Sequence, residues 1–124
     1  MPNNIFFEND NLLLKSRVLH IKGQNIAAPL SKNQALLVYY LMNKINEKGL
    51  LIESIWQEKN NALMDVRYNQ LIFKTRRTLY NKGFPSDFIL TMKGYGLCLN
   101  SVFLDFKEKK IDQYFYEQTE HYIL

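Results

Sequence analysis

The side chains with the clearest chemical potential lie close together, between residues 67 and 77. They are cations and amides with one phenylalanine among them: Arg67, Asn69, Gln70, Phe73, Lys74, Arg76 and Arg77. Asparagine and glutamine match the donor and acceptor of an adenine edge, lysine and arginine donate to guanine or phosphate, and an apolar side chain can touch a thymine methyl. This combination predicts contact with nucleic acid.

The positive charge of the chain is concentrated in the same region. The 124 residues carry a net charge of +4, and residues 65–93 hold six basic and two acidic side chains, which accounts for all of it. Clustered positive charge is typical of surfaces that attract polyanions. A basic helix face can also increase solubility without binding a partner. The charge alone therefore leaves both nucleic-acid binding and solubility as interpretations.

Other chemistries find little support in the sequence. Cys98 is the single cysteine, which excludes an intramolecular disulfide and a cysteine-based zinc site, and it is most simply a small core residue. His20 and His121 lie far apart, without carboxylates at metal-site spacing. Residues 93–96 contain two glycines but lack the strand–helix context of a phosphate-binding loop. We expect no enzyme, no metal, no cofactor and no small-molecule substrate.

Composition predicts one domain in a cytoplasmic setting. Hydrophobic residues make up 47% of the chain, enough to fill a core. The longest apolar run, Ala35–Met42, is far shorter than the roughly 20 residues that span a bilayer, and the N-terminus does not resemble a signal peptide. We expect a domain at residues 1–100 and a C-terminal extension at 101–124.

The pattern over residues 5–28 predicts short antiparallel strands, at 5–7, 11–15 and 17–21. Ser31 then has the type and position of an N-cap, and Gln34 completes a capping box at the start of the first helix. We expect that helix to end at Gly49.

Two further helices and a hairpin should follow. The second helix is predicted at 52–58 and the third at 65–81, with Gly83 at its end, and the hairpin at 88–99 turns around Lys93-Gly94-Tyr95. In the third helix an apolar set shares one side: Tyr68, Leu71, Ile72, Thr75 and Leu79. The cations and amides lie opposite, where they can meet a partner.

The residues QLIFKTRRTL at 70–79 and ILTMKGYGLCL at 89–99 resemble the winged-helix domain of OmpR/PhoB-type bacterial transcription regulators. The resemblance covers residues 5–100 and implies an α+β fold: a four-stranded N-terminal antiparallel sheet, three helices and a C-terminal hairpin, the wing. Gln70 is especially similar to the ToxR-like branch, which lacks a receiver domain. Thr75 stands where the family often has leucine, and Leu97 where it has tyrosine.

The resemblance implies a role for each polar residue. Base contacts are implied for Asn69, Gln70, Phe73, Lys74 and Arg77 of a recognition helix at 65–81 in the major groove. Phosphate contacts are implied for Trp56, Arg67, Arg76 and Thr91. Lys93 and Tyr95 would lie on the wing near the minor groove. Other interpretations stay open for three of these residues. Trp56 could cap the core, Phe73 could contact a protein, and Tyr95 could be a turn residue.

We therefore expect a sequence-specific regulator of transcription that binds double-stranded promoter DNA. One alternative is a winged-helix module that binds a partner regulator or RNA polymerase. Another is the cytoplasmic domain of a membrane-tethered ToxR-like protein. Residues 105–124, with a candidate helix at 111–124, could form a homodimer or bind a partner regulator.

Overall fold

The computed structural model describes residues 4–103, a four-stranded sheet followed by three helices and a hairpin. The elements are β1 (Phe6–Glu8), β2 (Leu12–Lys15), β3 (Val18–Ile21), β4 (Ile26–Pro29), α1 (Lys32–Met42), α2 (Lys48–Trp56), α3 (Ala62–Asn81), β5 (Ile89–Met92) and β6 (Gly96–Leu99), with a 3-10 turn at Ser101–Phe103. The candidate helix at 111–124 and the proposed partner segment at 105–124 lie outside the described residues.

The N-terminal sheet is antiparallel, with its strands in chain order. Leu14 lies opposite Leu19 in the β2–β3 register, and both side chains are buried because alternate residues of each strand face the helices. The three strands predicted from the pattern are confirmed to within a residue or two. The fourth strand, IAAP at 26–29, has no polar–apolar alternation, and only the family resemblance implied it.

The first helix begins as predicted and ends earlier. Ser31 Oγ accepts the Gln34 N–H at 3.3 Å, and Gln34 Oε1 accepts the Ser31 N–H at 2.9 Å, which confirms the capping box. The predicted end at Gly49 is wrong, because α1 ends at Met42 and Gly49 lies in the first turn of α2. Glu47 caps that turn, since its carboxylate accepts the N–H groups of Gly49 at 2.8 Å and Leu50 at 2.9 Å. The second helix therefore starts four residues before its predicted start at 52.

The third helix is a single uninterrupted segment of 20 residues. It starts three residues earlier than predicted, where Asn61 accepts the Met64 N–H at 2.9 Å. At its end Gly83 adopts φ +103, its N–H donates to Tyr80 O at 3.1 Å, and the Phe84 N–H donates to Leu79 O at 3.0 Å. This pair of bonds is a Schellman motif, the ending that a glycine at this position predicts.

The apolar side of α3 is buried against the rest of the domain. All five residues of the predicted set are buried, and Thr75 is completely inaccessible to solvent. The Thr75 hydroxyl donates to Leu71 O at 2.6 Å, which satisfies a polar group that would otherwise be buried without a partner.

The 3-10 turn packs the end of the described chain onto the core. The Phe103 ring meets the Phe88 ring edge to face at 4.9 Å, and Phe103 O accepts a hydrogen bond from Asn9 Nδ2 at 3.0 Å. Residues 101–103 thus contact the domain, while the predicted division at residue 100 stays a prediction.

Candidate nucleic-acid interface

The side of α3 opposite the core is exposed along its whole length. Six of the predicted contact residues lie there with exposed side chains: Arg67, Asn69, Gln70, Phe73, Lys74 and Arg77. They stand on a helix whose other side is fixed by burial, so their positions relative to one another are set by helical geometry. The structure thus brings together the cations and amides that the sequence placed on one side.

On one flank, α3 forms an open groove with the hairpin β5–β6. The groove has a volume of about 940 Å³. Asn69, Phe73 and Arg77 line its helix wall, and Met92 and Tyr95 line its hairpin wall. On this flank the exposed side of α3 continues into the predicted wing.

On the other flank, α3 forms a shallower depression with α2 and the start of α1. Arg67, Gln70 and Lys74 line it from α3, facing Trp56 and Gln34. The Trp56 ring is half-buried and packs against the core. Both interpretations of Trp56 are therefore compatible with its place, since a ring that packs on the core also borders the depression.

Arg76 is half-buried and bonds to the hairpin. Its Nε and Nη2 donate to Ile89 O at 3.3 and 3.0 Å, and Nη2 also donates to Thr91 Oγ1 at 2.8 Å. Two residues predicted as phosphate contacts are thus bonded to each other, and the guanidinium joins α3 to β5. Their phosphate contacts stay predictions.

The other strand of the hairpin is attached to the α1–α2 connection. Asn46 O accepts the Leu97 N–H at 2.9 Å, Asn46 Nδ2 donates to Leu97 O at 2.8 Å, and the Lys48 N–H donates to Tyr95 O at 2.9 Å. A Cβ on Gly96 would lie 1.9 Å from Asn46 O, so this approach requires glycine. The sequence analysis missed Asn46, although Gly96 beside the turn was a sign of close backbone contact.

The tip of the hairpin points into solvent. Lys93 and Tyr95 are exposed, and Gly94 between them has φ +75, which favours glycine. Because β5 is bonded to α3 and β6 to the α1–α2 connection, the tip is held at a fixed place beside the exposed side of α3.

Comparison with known proteins identifies the fold. No protein-family model and no curated protein matches the sequence. Solved structures with a similar fold include the two that follow. The DNA-binding domain of CpxR from E. coli has a TM-score of 0.58 and 21% identity, over 76% of this chain and 94% of that one. The C-terminal domain of the nisin resistance regulator NsrR, a lantibiotic response regulator, has a TM-score of 0.56 and 20% identity, over 77% of this chain and 94% of that one.

The fold is a winged helix-turn-helix. The predicted architecture is confirmed, with the four-stranded sheet first, then three helices, of which α3 is the third, and the C-terminal hairpin β5–β6, the wing. At this level of identity the similarity establishes the fold alone, and the ToxR-like subtype stays a prediction.

The negative charge of the acidic residue in α3 is offset by an ion pair, so the helix keeps its excess of positive charge. Asp65, the acidic residue of α3, forms an ion pair with Lys48, whose Nζ also lies 5.3 Å from the centre of the Tyr68 ring. Burial, with the nearby carboxylates of Glu47 and Asp65, raises the pKa of Tyr68 to about 12 against an opposing effect of Arg76. The Tyr68 phenol therefore stays protonated and uncharged to a higher pH than an ordinary tyrosine.

Other chemistry is sparse in the described part of the chain. Within residues 4–103 no group of three or more His, Cys, Asp or Glu side chains could hold a metal ion. No helix in that range has the length and hydrophobicity needed to cross a bilayer. Cys98 in β6 is half-buried, and burial raises the pKa of its thiol, which favours the protonated form at neutral pH.

Proposed function

We propose that the chain is a sequence-specific transcription regulator that binds double-stranded promoter DNA. The proposal places α3 in the major groove and the wing at the adjacent minor groove. The observation that carries it is the exposed side of α3, where cations and amides stand together beside a hairpin fixed by hydrogen bonds. An α-helix has the width to enter the major groove of B-form DNA, and these side chains match base edges and phosphates.

The division of α3 into two flanks supports separate roles for its residues. In the proposal Gln70 and Lys74 contact bases from the flank near Trp56, and Asn69, Phe73 and Arg77 contact bases from the flank near the wing. The phosphate contacts come from four other side chains: Arg67, Trp56, Arg76 and Thr91. Base contacts give sequence choice, while phosphate contacts give most of the affinity and its dependence on salt.

Arg76 has two tasks in this proposal. Its Nε and Nη2 are occupied by the wing, so a phosphate contact would come from Nη1. The guanidinium then joins phosphate, recognition helix and wing, and the half-buried position of Arg76 supports this arrangement. Lys93 and Tyr95 extend the contact to the minor groove.

The test is fluorescence anisotropy of the full chain with duplexes selected from a random pool, at two salt concentrations. Lys74→Ala and Arg77→Ala should each weaken binding by about 1–3 kcal/mol if the side chain contacts a base. Lys15→Ala and Arg17→Ala are matched controls, because both cations are exposed, one at the end of β2 and one in the turn before β3, and neither lines the groove or the depression beside α3. Equal losses in all four variants, or no loss in any, would refute the assignment of α3 to the groove.

A second candidate function is contact with another protein, which the exposed ring of Phe73 favours. Light scattering after size-exclusion chromatography distinguishes the two candidate functions. It is measured on the full chain and on a form shortened at residue 104. A dimer that depends on residues 105–124 and leaves DNA unbound would support the protein-contact function. A chain that binds DNA with either form supports the first proposal.

A further inference from the structure

A row of apolar side chains runs along the exposed side of α3. Val66, Phe73 and Tyr80 follow one another at intervals of seven residues, so they share one side of the helix. Their exposed fractions are 52%, 65% and 62%, and Phe73 is the most exposed large hydrophobic residue among those described. Leu63, 57% exposed, lies near the start of the same side, and exposed apolar side chains grouped on one side of a helix are typical of a contact surface.

The surroundings of this row favour a polyanion as its partner. Arg67, Lys74 and Arg77 stand beside it with exposed side chains, while the acidic Asp65 is paired with Lys48. A duplex presents phosphates on both sides of its major groove, which exposed arginine and lysine side chains can bind. In duplex DNA the apolar group available between the phosphates of the major groove is the C5 methyl of thymine.

We propose that Val66 and Phe73 each contact the methyl group of a thymine, which makes both residues determinants of sequence specificity. This inference rests on the proposed function and adds to it the chemical feature that is recognised. Seven residues of helix rise by about 10 Å. That separation is several times the rise of one base-pair step, about 3.4 Å, so the two side chains reach different bases. The preferred site therefore contains two thymines, one for each side chain.

The neighbours of Phe73 place its thymine beside other recognised bases. Asn69 and Arg77 lie one turn before and one turn after it, and both are exposed on the same flank. Tyr80 is the third member of the row but lies in the last turn of α3. Tyr80 lies beyond Arg77, the last of the proposed base contacts, so the proposal stops at Phe73.

The test replaces thymines one at a time by deoxyuridine, which removes the methyl and keeps the base pair. The probe is the duplex that the full chain selects from a random pool. Loss of a buried methyl should raise Kd about four-fold at two positions. The Phe73→Ala variant should bind equally well with thymine or deoxyuridine at one of the two positions. The Val66→Ala variant should lose its sensitivity to deoxyuridine at the other position.

Phe6→Ala is the matched control, because Phe6 is an exposed phenylalanine on β1 with an exposed fraction of 52%. It should leave both sensitive positions unchanged. Sensitivity at one position only, or at none, would overturn this inference while leaving DNA binding intact. Failure to select any duplex would overturn the proposed function itself. Loss of self-association in Phe73→Ala, with methyl-insensitive DNA binding, would assign the row to protein contact.

Discussion

The attachment of the wing gives a prediction whose size follows from the structure. Gly96→Ala would place a Cβ 1.9 Å from Asn46 O, a distance that a real Cβ does not occupy. The obstacle is backbone, so the α1–α2 connection and β6 must separate. The separation breaks three hydrogen bonds, two between Asn46 and Leu97 and one between Lys48 N–H and Tyr95 O.

The expected cost is a loss of about 1.5–4.5 kcal/mol from the free energy of unfolding, since each of the three bonds contributes about 0.5–1.5 kcal/mol. Gly94→Ala is the matched control in the same hairpin. Gly94 has φ +75 but no atom within 4 Å of its added Cβ, so its cost is backbone strain of about 1–2 kcal/mol.

Urea unfolding measures the free energies, and amide hydrogen exchange shows where the structure opens. In Gly96→Ala the Leu97 and Lys48 amides should lose protection, whereas in Gly94→Ala both should keep it. Retained protection of these two amides in Gly96→Ala, with a stability no lower than that of Gly94→Ala, would refute the account of how the wing is held.

Three other substitutions test separate parts of the account. Arg76→Ala should lower the free energy of unfolding by about 1–3 kcal/mol in urea titrations, because it removes charge-assisted bonds to β5. Thr75→Val should change it by less than about 1 kcal/mol, since the lost bond to Leu71 O is offset by a buried methyl. The pKa of Tyr68 is about 12 in the folded chain and 10.0 ordinarily. The protonated phenol therefore contributes fully to the free energy of unfolding below pH 10, and this contribution is lost as the pH rises from 10 to about 12. Tyr68→Phe should remove that loss when unfolding is measured across this pH range, and an unchanged pH dependence would contradict the raised pKa.

Local signals in the sequence predicted much of the fold. The helical period of α3 placed five residues on its buried side, and the capping box at Ser31 and the glycine at 83 marked helix ends that the structure confirms. Each of these features depends on residues within a few positions of one another.

The features that the sequence did not predict have two causes. Some depend on competition between neighbouring helix-start and helix-end residues, and others on contacts between residues far apart in the chain. Gly49 had the type of a helix terminator, but the carboxylate of Glu47 makes it part of a new helix start. The bonds from Asn46 to Leu97 and from Arg76 to Ile89 join segments whose approach is decided by packing of the whole domain. No local pattern contains that information, so the helical period placed the predicted contact residues on α3, while only the family resemblance implied a wing beside them.

The most direct measurement of the central claim is an NMR titration of the 15N-labelled full chain with the duplex it selects. The account predicts that amide shifts change along α3 between residues 66 and 77 and at the wing tip around 93–95, while the sheet at 6–21 stays unchanged. Changes confined to the sheet, or an α3 whose amides do not respond to bound duplex, would contradict the claim that this helix enters the major groove.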